Sequence, residues 1–272
     1  MTESYPAVPR RQRDVLTANR TYYVRTDGSD SNTGLADTSG GAFLTGQKAW
    51  DTVAALDLSI YTATIKYASG TYTGGINMAA MPVGGSSIII EGDTTTPANV
   101  HLNRTATCFT VSSALPCPMI IRGFKFTFAG SSASAIYLNA SGKITTGPIE
   151  LAGGSTGYAG AIIAAAGGAK IEVFGAIAIT GGMSCFAQAG FGGVVQFAGI
   201  TVTLTGTPAW GWVGVNGDTF GYVALAGVTF SGSATGMRYA FGLNGGINTG
   251  GGGASFIPGN SAGSVTSPGW YV

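Results

Sequence analysis

Acidic side chains thin out after residue 130 of this sequence, where only Glu150, Glu172 and Asp218 remain, with Lys143, Lys170 and Arg238 as the cations. Glycoside hydrolysis needs two carboxyl groups ~5–9.5 Å apart. Lyase chemistry needs a base beside a charge stabiliser. Glu150 and Glu172 sit in similar strand-like phrases on neighbouring repeats. At about 4.8 Å per layer, a shared groove would hold them at a catalytic separation. The plainer reading is that isolated carboxylates solvate a surface. The expectation is therefore no catalytic set, with Glu150, Glu172 and Asp218 as the acids if the chain is an enzyme.

Other reactive types give less. His101 stands beside Asn103 and Arg104 with no Ser or Cys elbow, as a surface histidine with its own partners would. Cys108, Cys117 and Cys185 are odd in number and lack CxxC spacing, which disfavours a disulfide framework or a zinc site. They read as small buried hydrophobes, and a Cys108–Cys117 bridge stays open. Asp27, Asp30 and Asn32 offer oxygens to calcium, but the run Asp27-Gly-Ser-Asp-Ser-Asn-Thr-Gly34 also suits turns that bond to their own backbone. No metal and no cofactor is expected, with those three residues as a weak calcium candidate.

Binding is better supported than turnover. Trp50, Trp210, Trp212, Trp270, Tyr137, Tyr158 and Tyr222 are rings able to stack on sugars. In Trp210-Gly-Trp212, period-two spacing puts both rings on one side of a strand. The alternative is that they pack between chains or on an edge.

The scaffold for these residues is a recurring phrase. It reads Gly123-Phe-Lys-Phe-Thr-Phe-Ala-Gly130, then Gly147-Pro-Ile-Glu-Leu-Ala-Gly153, and returns at Gly175, Gly199 and Gly227. The opening glycines step by 24, 28, 24 and 28 residues. Each phrase alternates like a strand between two corner glycines. Such a step holds about three strands of ~5 residues, the coil of a parallel β-helix. Lys170–Phe174, Gly193–Phe197 and Tyr222–Leu225 supply further strands. The fold class is all-β: a parallel β-helix with an N-terminal extended arm and a short capping helix.

Four regions follow. Residues 1–20 are an arm, with Arg10, Arg11, Arg13 and Arg20 and two prolines, either a loose terminus or a peptide that docks on a partner. Residues 21–63 hold a first strand, a turn and an amphipathic helix within Phe43–Leu58 that covers the open end of the coils. Residues 64–236 are coils. Residues 237–272 depart from the rhythm and end in Trp270-Tyr271-Val272, a cap or a subunit contact.

Of 272 residues 46 are Gly and only 9 % are charged, against about 25 % in ordinary domains. A net charge of +1 gives no reason to expect nucleic acid or an anionic membrane. Met1–Arg10 lacks the apolar core of a secretory leader, and the longest apolar run, Tyr158–Ala169, is too short for a bilayer. Synthesis in a bacterial cytoplasm is expected, with no membrane insertion.

The opening Tyr22-Tyr-Val-Arg-Thr-Asp-Gly-Ser-Asp-Ser-Asn-Thr-Gly34, with Phe43, Gln47-Lys-Ala49 and Ala68-Ser-Gly-Thr-Tyr-Thr73, resembles the start of pectate-lyase-like parallel β-helix proteins. Thr205–Ala209, Phe230–Gly236, Ile247–Gly253 and Phe256–Asn260 are similar to β-helical proteins of tailed bacteriophages. The resemblance spans about residues 21–272. It implies a right-handed helix, a homotrimer, and a place in the virion as a tail spike, fibre or decoration protein. The calcium-binding lyases of the superfamily use a cluster of Asp that is missing here, so their activity is not implied. The expected function is structural and adhesive, with Arg10, Arg11 and Arg13 docking on other virion proteins and Trp210 and Trp212 on host surface polysaccharide. A depolymerase of capsule or lipopolysaccharide is one alternative; a purely architectural virion protein is another.

Overall fold

The computed structural model describes residues 13–154, 157–266 and 268–272. Arg10 and Arg11 lie outside them. The described residues wind into a parallel β-solenoid with three sheets and one short α-helix. From Ala63–Tyr67 to Thr235–Phe241 each coil visits the first sheet, then the third, then the second, and every strand pairs in parallel with its counterparts in adjacent coils. The first sheet has ten strands, from Arg20–Val24 to Trp270–Tyr271. The second has eight, from Ile76–Met78 to Ser264–Val265, and the third seven, from Gly70–Tyr72 to Thr229–Ser231.

The glycine-bracketed phrases are all strands of the third sheet: Phe124–Phe128, Ile149–Gly153, Ile177–Ile179, Thr201–Leu204 and Thr229–Ser231. Alternation is the reason. In Phe124-Lys-Phe-Thr-Phe128 the three rings are fully buried while Lys125 and Thr127 face out. Gly123 opens this strand at φ +77°, and a Cβ there would sit 2.8 Å from the carbonyl carbon of Asp93 in the coil beneath. Only glycine serves that corner.

Stacking in register makes the core a set of ladders. Phe109, Ile136, Ile162, Ala187, Val215 and Tyr239 succeed one another along the inner face of the second sheet. The ladder is bulkiest near the N-terminal end, where Phe109, Phe124 and Phe126 make edge-on or tilted contacts 5.4–5.9 Å apart. Burying each such ring contributes about 1.5–3 kcal/mol.

Helix α1, Gly46–Ala54, closes that end. Thr45 caps it by accepting from the Lys48 N–H, and Ala49, Trp50 and Val53 form the buried face. Trp50 is 1 % exposed and its indole donates to the Ala80 carbonyl at 3.1 Å. Part of the arm belongs to the same cap. Leu16 is buried, Val15 bridges to Asp57, and the Arg13 guanidinium donates to the carbonyls of Ala54 and Leu56 where α1 ends. Arg13 is thus hydrogen-bonded within the chain while remaining at the surface.

Past residue 237 pairing continues on the first and second sheets, through Gly246–Asn248, Ser264–Val265 and Trp270–Tyr271, while the third sheet has ended at Thr229–Ser231. Inside these last coils Tyr271 stacks on Tyr239 at 4.2 Å and lies beside Phe241. Among the described residues, no helix is long and apolar enough to cross a membrane.

Candidate functional site

The three carboxylates separate onto three sheets. Glu150 is on the third sheet, where Lys125 Nζ approaches to 3.1 Å and Thr180 donates at 2.8 Å. Glu172 is on the first sheet, clasped by Lys143 and Lys170. Burial alone would raise its pKa, but hydrogen bonds from the two ammonium groups outweigh that and hold the carboxyl below its ordinary value. Asp218 follows a strand of the second sheet and accepts from the Thr219 N–H at 2.8 Å. Glu150 and Glu172 therefore lie on different sheets, with the second-sheet strand Gly160–Ala164 between them in the chain. A general acid needs a carboxyl held protonated, and Glu172 is held the other way.

The other candidates resolve similarly. Arg25 grips Asp27 through Nε and Nη2 and Asp37 through Nη1. Asp30 accepts from the Leu44 and Thr45 N–H groups and from the Thr45 hydroxyl. Asn32 donates to the carbonyls of Ser39 and Ala42. Asp27, Asp30 and Asn32 thus point at different partners and knot a loop instead of converging on a cation. Among the described residues, no group of three or more His, Cys, Asp or Glu could hold a metal. His101 lies next to Lys125 across the third sheet, with Nε2 2.9 Å from the Thr127 hydroxyl. Burial, then the Lys125 charge, lowers its pKa. Cys108, Cys117 and Cys185 are buried free thiols, and burial pushes Cys108 and Cys185 up to about 12. None is a nucleophile at neutral pH.

A concave surface lies on the outer face of the second sheet. Register sets Thr110, Tyr137, Ile163, Gln188, Asn216 and Ala240 in one outward row. Over Tyr137, Ile163 and Gln188 lies a hollow of about 640 Å³, walled by Ser131, Ser132, Tyr158 and Phe191. Gln188 is pinned to its floor by accepting from the Gly160 N–H at 3.0 Å. No charged side chain lines it. A second hollow of about 350 Å³ continues over Asn216 and Ala240, lined by Trp212, Asp218 and Leu243. Between the two, Tyr158 meets Trp212 edge-on at 5.3 Å.

Trp210 and Trp212 do not share a side. The register slips between Ala209 and Val213, so the alternation expected of a regular strand is lost. Trp210 is 5 % exposed, and its indole donates to the Pro258 carbonyl at 2.7 Å, tying a long loop to the coils. Trp212 stays half-buried beside Tyr158. The floor residues Ile163, Gln188 and Asn216 escaped the sequence reading, though they recur at coil spacing from Tyr137.

One corner of the solenoid adds a ridge beside these hollows. Gly190–Gly193, Asp218–Gly221 and Gly242–Gly245 are tight turns, each closed by a backbone hydrogen bond of 2.7–2.9 Å between its ends. Both central residues have positive φ: Phe191 and Gly192, Thr219 and Phe220, Leu243 and Asn244. That is the type I′ pattern, which favours Asn and Gly. A left-handed conformation costs other L-residues about 1–2 kcal/mol each, yet Phe191, Phe220 and Leu243 accept it while 67 %, 65 % and 56 % exposed.

No family model, curated protein or solved structure matches this chain. Its solenoid fold stands on the geometry.

Proposed function

We propose that this chain is a structural and adhesive component of a tailed-phage particle, and that the outer groove of its second sheet binds saccharide of a host surface. The phage setting rests on the resemblance of the opening and C-terminal phrases. The groove carries the adhesive part. Tyr137, Tyr158, Phe191 and Trp212 offer rings to the apolar faces of sugar units, while Gln188 and the serines offer polar atoms to hydroxyls. Apolar walls with a few fixed polar groups suit a sugar better than a peptide anchor or an ion. The solenoid supplies a rigid backbone for such a site, since each floor residue is held by parallel neighbours on both sides.

A panel of bacterial surface polysaccharides, screened by immobilisation and then titration, tests this. The expected result is a hit whose affinity falls at least about ten-fold in Tyr158→Ala and in Trp212→Ala. A hit unaffected by either change, or no hit at millimolar repeat units, overturns the reading. The proposal extends to docking on the virion through the arm, residues 1–20, with Arg10, Arg11 and Arg13. Replacing Arg10 and Arg11 by serine should sharply reduce incorporation into particles; unchanged incorporation overturns this part of the reading.

A further inference from the structure

The outward row of the second sheet does not stop at Thr110. Register carries it one coil further to Asn77, so the floor of the groove runs on towards the capped end of the solenoid. A further hollow, of about 400 Å³, opens there, lined by Gln47 of α1 and by Asn77, Arg104, Thr107 and Thr110. Unlike the hollow over Tyr137, it holds a cation. Arg104 ends the third-sheet strand Val100–Arg104, at the corner where the chain crosses to the second sheet. Its guanidinium lies against Gly75 and donates to the Thr107 carbonyl through Nη1. A Cβ on Gly75 would sit 2.7 Å from Cζ of Arg104 and strike the Cys108 carbonyl as well. Gly75 is not left-handed, so glycine supplies room here and not a backbone angle.

A guanidinium carries more N–H donors than one carbonyl can use. Arg20, Arg25 and Arg122 each hold a carboxylate within 3.2 Å. Among the described residues none pairs with Arg104, and its remaining donors have no protein partner. The Asn77 amide and the Thr110 hydroxyl, side by side on the floor, are also without a hydrogen-bond partner among the described residues. Gln47 is the opposite case. It accepts from the Asn77 N–H at 2.7 Å, donates to the Asn77 carbonyl at 3.2 Å, and holds the carboxylate of Asp51, a turn further along α1, at 2.8 Å.

We infer that this hollow is an anion subsite at one end of the groove, and that it takes a carboxylate or phosphate substituent of the bound saccharide. The inference rests on the saccharide reading for what carries the anion. Arg104 supplies the charge and a planar set of donors that suits either group, while Asn77 and Thr110 supply neutral donors beside it. Thr110 and Tyr137 are register partners, about 4.8 Å apart. An acidic substituent therefore reaches Arg104 while its own ring or the next one lies over Tyr137. A single cation at one end of an otherwise uncharged hollow also decides which way round the saccharide lies.

The test titrates the full chain with the acidic polysaccharides of the panel, each beside a neutral form with its carboxyl groups reduced or its phosphates removed. The charged form should bind about ten- to hundred-fold more tightly at low salt, and added salt should shrink the difference. Arg104→Gln should erase that preference and bind the neutral form as wild type does, whereas Tyr158→Ala should weaken both forms alike. Free glucuronate and inorganic phosphate are titrated separately, following the Nε–H resonance of Arg104 in the wild-type chain. A saturable shift at millimolar anion is expected, and which of the two produces it tells carboxylate from phosphate. A polysaccharide bound equally in both forms, or a preference that survives in Arg104→Gln, overturns the subsite and leaves the groove standing. If no polysaccharide binds, the groove reading falls by itself; an Arg104 resonance unmoved by either anion then overturns the subsite too.

Discussion

Tyr158 and Trp212 touch edge-on at 5.3 Å although 54 positions and two turns of the solenoid separate them in the chain. The contact exists only because the coils stack, and it sets the rim between the two hollows. Trp212→Ala should therefore spare the fold, lowering the melting temperature by no more than a few degrees. Trp210→Ala should not, since it empties a buried site and strands the Pro258 carbonyl; about 3–5 kcal/mol is the usual cost of such a truncation. Thermal denaturation of the two variants side by side checks the contrast.

Acidification should weaken the protein in a defined window. The folded pKa of Glu172 lies below its ordinary value, as do those of Asp93, held by the Thr96 N–H, and Asp27, held by Arg25. The folded state thus binds fewer protons than the unfolded one through these groups. Their stabilisation is complete above the unfolded carboxylate range and is lost as pH falls through the lower folded values. Melting temperature should be level from about pH 8 to 5 and fall below about pH 4. Glu172→Gln should flatten part of that acid limb, the remainder belonging to the other carboxylates.

Asp30 is predicted to be structural. It takes three hydrogen bonds from Leu44 and Thr45 immediately before α1, and Asp30→Ala leaves all three donors without it. A loss of about 1–3 kcal/mol follows, visible as a lower midpoint in urea. Addition of calcium or of a chelator should move neither the wild-type midpoint nor that of the variant.

The thiols should be silent. With Cys108 and Cys185 pushed up to about 12 by burial, and Cys117 8 % exposed, an aromatic disulfide reagent should titrate none of them in the native protein. All three should react at once in denaturant. Fast labelling of any one before unfolding would contradict the packing described.

The sequence announced one sheet clearly and hid another. Strands of the third sheet are bracketed by glycine and alternate, because one face meets the core and the other meets water. The second sheet alternates in its early strands, such as Phe109–Val111 and Ile136–Leu138, but loses the pattern under the groove. Gly160–Ala164 is buried at every position, and Cys185–Ala189 at all but Gln188, so no period of two survives. The groove lies on that hidden sheet. Its floor was nonetheless recoverable by arithmetic: Tyr137, Ile163, Gln188 and Asn216 follow at 26, 25 and 28 residues, the step of the glycine phrases. The strained turns left no comparable trace, since Phe220 and Leu243 are not residues that announce a left-handed corner.

The strands of each sheet lie across the long axis of the solenoid, so the hydrogen bonds joining successive coils point along it. Pulling on the two ends would therefore strain these bonds one layer at a time, as a zipper does, instead of shearing a whole sheet at once. Yielding would begin wherever a coil has a neighbour on one side only. Sideways loads meet the reverse situation, with all three sheets bracing one another around a filled interior. Such a rod withstands bending far better than stretching, and placed against a surface it is suited to push rather than to tether.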